Sequence, residues 1–224
     1  MENRMKPQDL NWIPIFGDCK IDNGVLRYSA KIIDSGPSVG QAQICVMKSN
    51  LEFENGSITF RAVIKDPASQ VQIGFNQGNG SVPEVYAGLN TGGSAYGVAT
   101  FHNNQWENFT TVGFGTSPPQ NIDILIKVTV TGSDLNLFVN GVHALKGNYS
   151  VRRGQICFLL SGKEDLEVEL VSVEKSESIA FVVMQFTNEF DDLYREVIEP
   201  TCTKFGLKSV RADDIYNNGR RIQV

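Results

Sequence analysis

Apolar residues recur at every second position over long stretches of the first three quarters of the chain. In SITFRAVI (57–64), Ile58, Phe60, Ala62 and Ile64 share one face, while Thr59 and Arg61 take the other. VQIGF (71–75) repeats the pattern with Val71, Ile73 and Phe75. NIDILIKVTVTG (121–132) sets Ile122, Ile124, Ile126, Val128 and Val130 against Asp123, Lys127, Thr129 and Thr131. A period of two predicts strands with one dry and one wet face, and so antiparallel sheet. LNLFVNGVHALKG (135–147) places Asn140-Gly141 between two strand-like runs, which predicts a hairpin with a type I′ turn. GQICFLLSG and DLEVELVSVEK supply two further strands, and SGPSVG, NQGNG, NTGG and TSPPQ mark turns between runs. No helical period is present before residue 176. The pattern gives roughly eleven to thirteen short strands, too many for one open sheet. A two-sheet antiparallel sandwich with jelly-roll connections is the economical arrangement.

The pattern changes at SIAFVVM (178–184), which is apolar on both faces and predicts a strand covered on both sides. QFTN follows as a loop, with Thr187 or Asn188 as helix N-cap and Glu189, Asp191 and Asp192 in the first turn. Phe190, Leu193, Tyr194, Val197 and Ile198 then recur at helical spacing as one apolar stripe. Pro200 is expected to bend this helix and Gly206 to stop it, before a second strand in LKSVRAD (207–213). The prediction is a β-sandwich over residues 1–175, then a strand–helix–strand unit over 176–224 with a parallel crossover. One helix and two parallel strands cannot cover both faces of such a sheet. The second unit is therefore expected to be the opening of a longer α/β domain.

Composition narrows the functional classes. A net charge of −5 and a pI near 5.1 argue against bulk nucleic-acid binding, because no basic excess exists to displace counterions. The N-terminus lacks the basic flank and apolar core of a secretory signal, and the longest wholly apolar run, 179–184, is too short to span a membrane. The expected compartment is the cytoplasm. Cys19, Cys45, Cys157 and Cys202 are far apart, with no C-x-x-C pair, and are expected to be reduced thiols packed as small hydrophobes. His102 and His143 stand away from any cysteine or acid cluster, so no metal site is predicted from them. Backbone carbonyls and single aspartates leave calcium open.

Glycoside hydrolysis requires two carboxylates across a cleft. The E-x-D-x-x-E spacing that would place them on one strand is absent. Glu167 and Glu169 share the outer face of a strand whose Leu166, Val168 and Leu170 point inward, which predicts a solvated face. Binding is the better prospect. The stretch 82–106 concentrates aromatic and amide side chains, and Tyr86, Asn90, Tyr96, His102 and Trp106 are the candidate contacts for a carbohydrate. Rings stack on the apolar faces of sugars while amides take the hydroxyls. A protein ligand and self-association as an oligomerisation module are the alternatives.

Two resemblances follow from these segments. FGDCKIDNGVLRYSAK, SITFRAVIKDPASQVQIGFN, NIDILIKVTVTGSDLNLFVNGVHAL and EVELVSVEK together resemble a concanavalin A-like (laminin G-like) jelly roll. That family implies carbohydrate or protein binding and, in some members, glycan hydrolysis. IAFVVMQFTNEFDDLYREVIEPTCTKFGLKSVRADDIYNNGRRI is similar to the start of TIR-like, flavodoxin-like domains related to nucleoside 2-deoxyribosyltransferases, with Gln185 where proline is common. This second resemblance implies nucleotide handling at the carboxyl ends of the strands, with Gln185, Phe186, Thr187, Arg211, Asp213 and Asp214 as candidates. NAD or a nucleotide is the implied substrate of a longer protein, and bacterial defence is its implied setting. The catalytic glutamate of such domains lies later in the chain, so the present segment is expected to be inert and to hold no cofactor.

Overall fold

A computed structural model describes residues 4–5, 10–34, 36, 39–78, 80–176, 178–185, 187–205 and 207–212. The chain divides into two compact units, Met1–Lys175 and Ser176–Val224. Among the described residues, no helix is long and apolar enough to cross a membrane.

The first unit is built from two antiparallel sheets. Its strands are β1 (Arg4–Met5), β2 (Trp12–Phe16), β3 (Cys19–Asp22), β4 (Val25–Tyr28), β5 (Ile44–Phe53), β6 (Gly56–Val63), β7 (Gln70–Phe75) and β8 (Glu84–Thr91). They continue with β9 (Ser94–His102), β10 (Gln105–Phe114), β11 (Ile124–Thr131), β12 (Asp134–Val139), β13 (Val142–Asn148), β14 (Gly154–Ser161) and β15 (Leu166–Lys175). One sheet runs β13-β12-β11-β6-β15-β4-β3, with β1 also pairing with β15, and the other runs β10-β9-β8-β7-β14-β5-β2. These fifteen strands exceed the roughly eleven to thirteen expected, and they include the two-residue β1. The chain changes sheet between β1 and β2, β2 and β3, β4 and β5, β5 and β6, β6 and β7, β10 and β11, β13 and β14, and β14 and β15. Strands close in sequence therefore face one another across the core, as a jelly-roll sandwich requires.

The period-two residues form that core. Ile58, Phe60, Ala62, Ile124, Ile126, Val128, Val168 and Leu135 from one sheet meet Val71, Ile73, Leu89, Val98, Ile156 and Phe158 from the other, all fully buried. Phe60 and Phe158 touch edge to face at 5.0 Å between ring centres, and Trp12 leans on Phe158 at 5.5 Å. Ile122 departs from the expected pattern: β11 begins at Ile124, and Ile122 is exposed in the preceding loop. The Asn140-Gly141 turn takes the expected form, with φ of 50° and 80° between the paired Val139 and Val142. Every non-glycine residue of positive φ among the described residues is an asparagine, as left-handed backbone favours.

In the second unit, β16 (Ser178–Val182) and β17 (Leu207–Arg211) pair in parallel, Ser178 opposite Leu207 through Val182 opposite Arg211. The connecting helix comprises α1 (Asn188–Leu193), a π-helical segment Tyr194–Ile198, and α2 (Glu199–Lys204). Pro200 has no N–H to give the carbonyl one turn back, and its ring crowds that turn. The chain accommodates it by widening the turn before it, where a simple bend was expected. The predicted stripe is not buried as one face: Tyr194 is buried, while Leu193 and Val197 are exposed. Thr187 occupies the N-cap position without a side-chain capping bond. Ile179, Phe181 and Val183 are exposed, so the two-sided burial expected of this strand is not met within the described residues. Gly206 lies outside the described residues.

Candidate functional site

The outer faces of the two sheets differ in chemistry. On the larger sheet, Arg27 lies 3.0 Å from Asp22 and 3.4 Å from Glu167, and Arg61 lies 3.0 Å from Glu169 and 3.6 Å from Asp123. Lys146 pairs with Asp134 at 2.7 Å. These side chains are about half exposed, and such pairs stabilise by about 0–1 kcal/mol each. Glu167 and Glu169 are thus members of a solvated, charge-paired face.

The seven-stranded sheet presents a different surface. Val71, Ile73 and Phe75 enter the core, so Gln72 and Gly74 of β7 face outward. Register places Cys157, Gly74, Tyr86 and Ala99 in one cross-strand row. The next row holds Val46, Leu159, Gln72, Gly88, Gly97 and Thr111. Val46, Tyr86, Cys157 and Leu159 form a small apolar cluster on this outer face, with Phe101 packed against it. Trp106 stands over its end, 5.2 Å from the Tyr86 ring and 5.1 Å from the Phe101 ring. It remains 41% exposed.

Gly74 makes this packing feasible. A Cβ there would lie 2.5 Å from Cys157 Sγ and 2.6 Å from Tyr86 Cε1, so the tyrosine ring crosses directly over the strand. The Tyr86 hydroxyl donates to Glu84 Oε2 at 2.7 Å, and Gly78 N donates to Glu84 Oε1 at 3.3 Å. Burial, with the Cys157 sulfur and the Glu84 carboxylate nearby, raises the Tyr86 phenol above its ordinary value. Burial and the Glu84 carboxylate push the Cys157 thiol up to about 12, so it is a packing group rather than a nucleophile. At the centre of the face, Gln72 Nε2 donates to Thr91 Oγ1 at 3.0 Å, and Ser94 Oγ donates to Thr111 Oγ1 at 3.1 Å. Gln72 Oε1 is buried without a hydrogen-bond donor among the described residues.

The outward acids on this sheet's strands β5 and β8 are Glu52, paired with Arg153 at 3.0 Å, and Glu84. They sit three strand positions apart, at least about 14 Å at ~4.8 Å per strand. A glycosidase pair is separated by about 5–10 Å. Among the described residues no group of three or more His, Cys, Asp or Glu could hold a metal ion.

Of the residues proposed from the sequence, the structure brings Tyr86 and Trp106 together. Tyr96 lies on the opposite side of β9, packed on the main core. The Asn90 amide is spent on the carbonyls of Pro67 and Ser69, at 2.8 and 2.6 Å, with φ of 54°. His102 follows Phe101 in β9 and so points to the other face, with Nδ1 4.0 Å from Glu107 Oε1. In the second unit, Gln185 and Thr187 are exposed. Arg211 is 7% exposed, 2.7 Å from Asp191 Oδ1 and over the Tyr194 ring at 5.0 Å, which braces the unit. Phe186, Asp213 and Asp214 lie outside the described residues. Gln72, Gly74 and Glu84 were not singled out from the sequence. Their signal was the Gln and Gly at the outward positions of VQIGF, where a solvated strand carries charge.

Solved structures similar to the chain share this sandwich. A prokaryotic beta-1,3-1,4-glucanase (lichenase) from a mouse hindgut metagenome superposes with a TM-score of 0.54 at 11% identity, covering 76% of this chain and 96% of its own. The Bacillus licheniformis beta-glucanase gives 0.52 at 12% identity over 74% of this chain and 92% of its own. A carbohydrate-binding module from Bacillus subtilis gives 0.51 at 11% identity over 74% and 95%. The likeness is one of fold. No protein-family model and no curated protein sequence matches the chain.

Proposed function

We propose that the sandwich is a carbohydrate-binding module that takes a neutral glycan on the outer face of the seven-stranded sheet. The observation that carries this reading is the Tyr86–Phe101–Trp106 group, an aromatic platform on that face. Trp106 supplies the open ring on which the C–H face of a sugar stacks, and Phe101 and Tyr86 fix its plane. The fold shared with a carbohydrate-binding module supports the reading, and the wide spacing of Glu52 and Glu84 favours binding over hydrolysis. Trp106→Ala is expected to weaken binding of a neutral oligosaccharide, selected on a glycan array, by about 10-fold or more in calorimetry. Glu167→Gln on the opposite sheet leaves it unchanged. An array on which the wild-type chain binds nothing, or an affinity indifferent to Trp106→Ala, sinks the proposal.

A second reading concerns residues 176–224, proposed as the opening of a TIR-like nucleotide-processing domain for which the sandwich is the sensor. The parallel pairing of β16 and β17 around a helix favours it. On this reading, titrating the full chain with NAD and with the four deoxynucleosides gives binding heat for at least one. No heat with any of the five removes it.

A further inference from the structure

About six residues along β8 from Glu84, or ~20 Å at ~3.3 Å per residue, the same outer face ends in a recess. Its volume is about 380 Å³, near the lower end of the ~300–1,000 Å³ usual for small-molecule sites. The floor is a cross-strand row of Ile44, Ser161 and Gln70, from β5, β14 and β7. Loop residues Gly40–Ala42, Asp66 with Ala68, and Gly162 with Lys163 form the walls.

Other side chains hold those walls in place. The Tyr28 hydroxyl bridges the carbonyls of Gln43 and Gly162, at 2.6 and 3.1 Å, tying the first wall to the third. Asp66 accepts from Ala68 N through Oδ1 and from Lys163 N through Oδ2, at 2.9 and 3.0 Å, tying the second to the third. Asn90 fixes the 67–69 turn from beneath through the two carbonyls already described. The groups left over face no such partner: Gln41, Gln70 and Ser161 make no side-chain hydrogen bond to another described residue. Ser161 is only 8% exposed, and its hydroxyl makes no hydrogen bond to another described residue. A wall fixed by spent polar groups and lined by unspent ones is preorganised for a ligand.

The unspent groups define the ligand. Two primary amides and one hydroxyl each offer both donor and acceptor capacity, which matches vicinal hydroxyls. Ile44, 40% exposed, offers an apolar patch for ring C–H groups. The charges lining the recess, Asp66 and Lys163, cancel, and both Asp66 oxygens already accept backbone N–H bonds. The lining as a whole thus carries no net charge to offset the hydration an ion would shed on entering. We propose that this recess is a second saccharide subsite, which takes one neutral sugar ring at the far end of the face from Trp106. It builds on the glycan-binding reading of the face but uses none of the aromatic group.

The test is a backbone-amide NMR titration of the full chain with the methyl α-pyranosides of glucose, galactose and mannose, and with inorganic phosphate. At least one glycoside is expected to move the amides of Gln41, Gln70, Ser161 and Gly162 with millimolar affinity. Gln70→Leu with Ser161→Ala should weaken that binding roughly 10-fold, as the loss of two hydrogen bonds implies. Gln41→Ala, on an exposed loop, repeats the test without touching a strand. Trp106→Ala leaves these shifts intact, so failure at the aromatic platform and failure here are separable. The proposal is overturned if no glycoside moves these amides up to tens of millimolar. It is equally overturned if phosphate binds there more tightly than the glycosides, or if the shifts persist in both variants.

Discussion

Gly88→Ala is expected to destabilise the sandwich by about 3 kcal/mol or more, read as a fall in the midpoint of its denaturant or thermal unfolding. At φ +155° an added Cβ would lie 2.1 Å from the carbonyl oxygen of Val71 and 3.0 Å from the Cα of Gln72. Both obstacles are backbone of the neighbouring strand, held by ladder bonds, so no side chain can rotate away to relieve the clash. The same substitution at Gly93 separates strain from crowding. That residue has φ +77° with nothing within 4 Å of the added carbon, and its cost should stay near ~1 kcal/mol. Equal losses at the two positions would show that the close approach at Gly88 is not what requires glycine.

The second large effect is expected at Phe60. Its ring is fully buried, in edge contact with Phe158, and β6 is paired on both sides, by β11 and β15. No neighbouring strand can close onto the space left by Phe60→Ala, so the expected loss is about 3–5 kcal/mol. Stability of domains is about 5–15 kcal/mol in total, so the variant sits near the edge of folding. Phe60→Leu, which keeps most of the volume, should lose under ~1.5 kcal/mol and remain measurable. Phe114→Ala, at a ring 87% exposed, should change stability by about 0.5 kcal/mol or less. A Phe60→Ala loss as small as that at Phe114 would contradict the packing described.

The sandwich core was legible because its strands alternate cleanly. Ile58, Phe60 and Ala62 in β6, and Ile124, Ile126 and Val128 in β11, point where a period of two sends them. The candidate face was legible only in part. β9 reads SAYGVATFH, apolar on both sides, so alternation alone does not say whether Tyr96 or Phe101 turns inward. The small residues Ala95, Gly97 and Ala99 take the outward positions, and Tyr96 goes to the core. The β10 register also slips between Glu107 and Thr110, which re-aims Trp106 relative to the rest of its strand. Such a bulge has little local signature beyond Asn108, at φ 52°. The loop recess was illegible for another reason: its groups come from positions 40 to 163 and converge only through strand order. In the second unit, Pro200 foretold a disturbed helix, but neither the π-helical turn itself nor the exposure of Leu193 and Val197.

The two tryptophans stand in opposed surroundings, Trp12 against the Phe158 ring of the core and Trp106 on the candidate face. The protein thereby carries two separate optical reporters. Emission from Trp12 follows the integrity of the sandwich, while emission from Trp106 follows what settles on its surface. A single fluorescence titration on Trp106→Phe and Trp12→Phe proteins can therefore tell occupancy from unfolding without any added label.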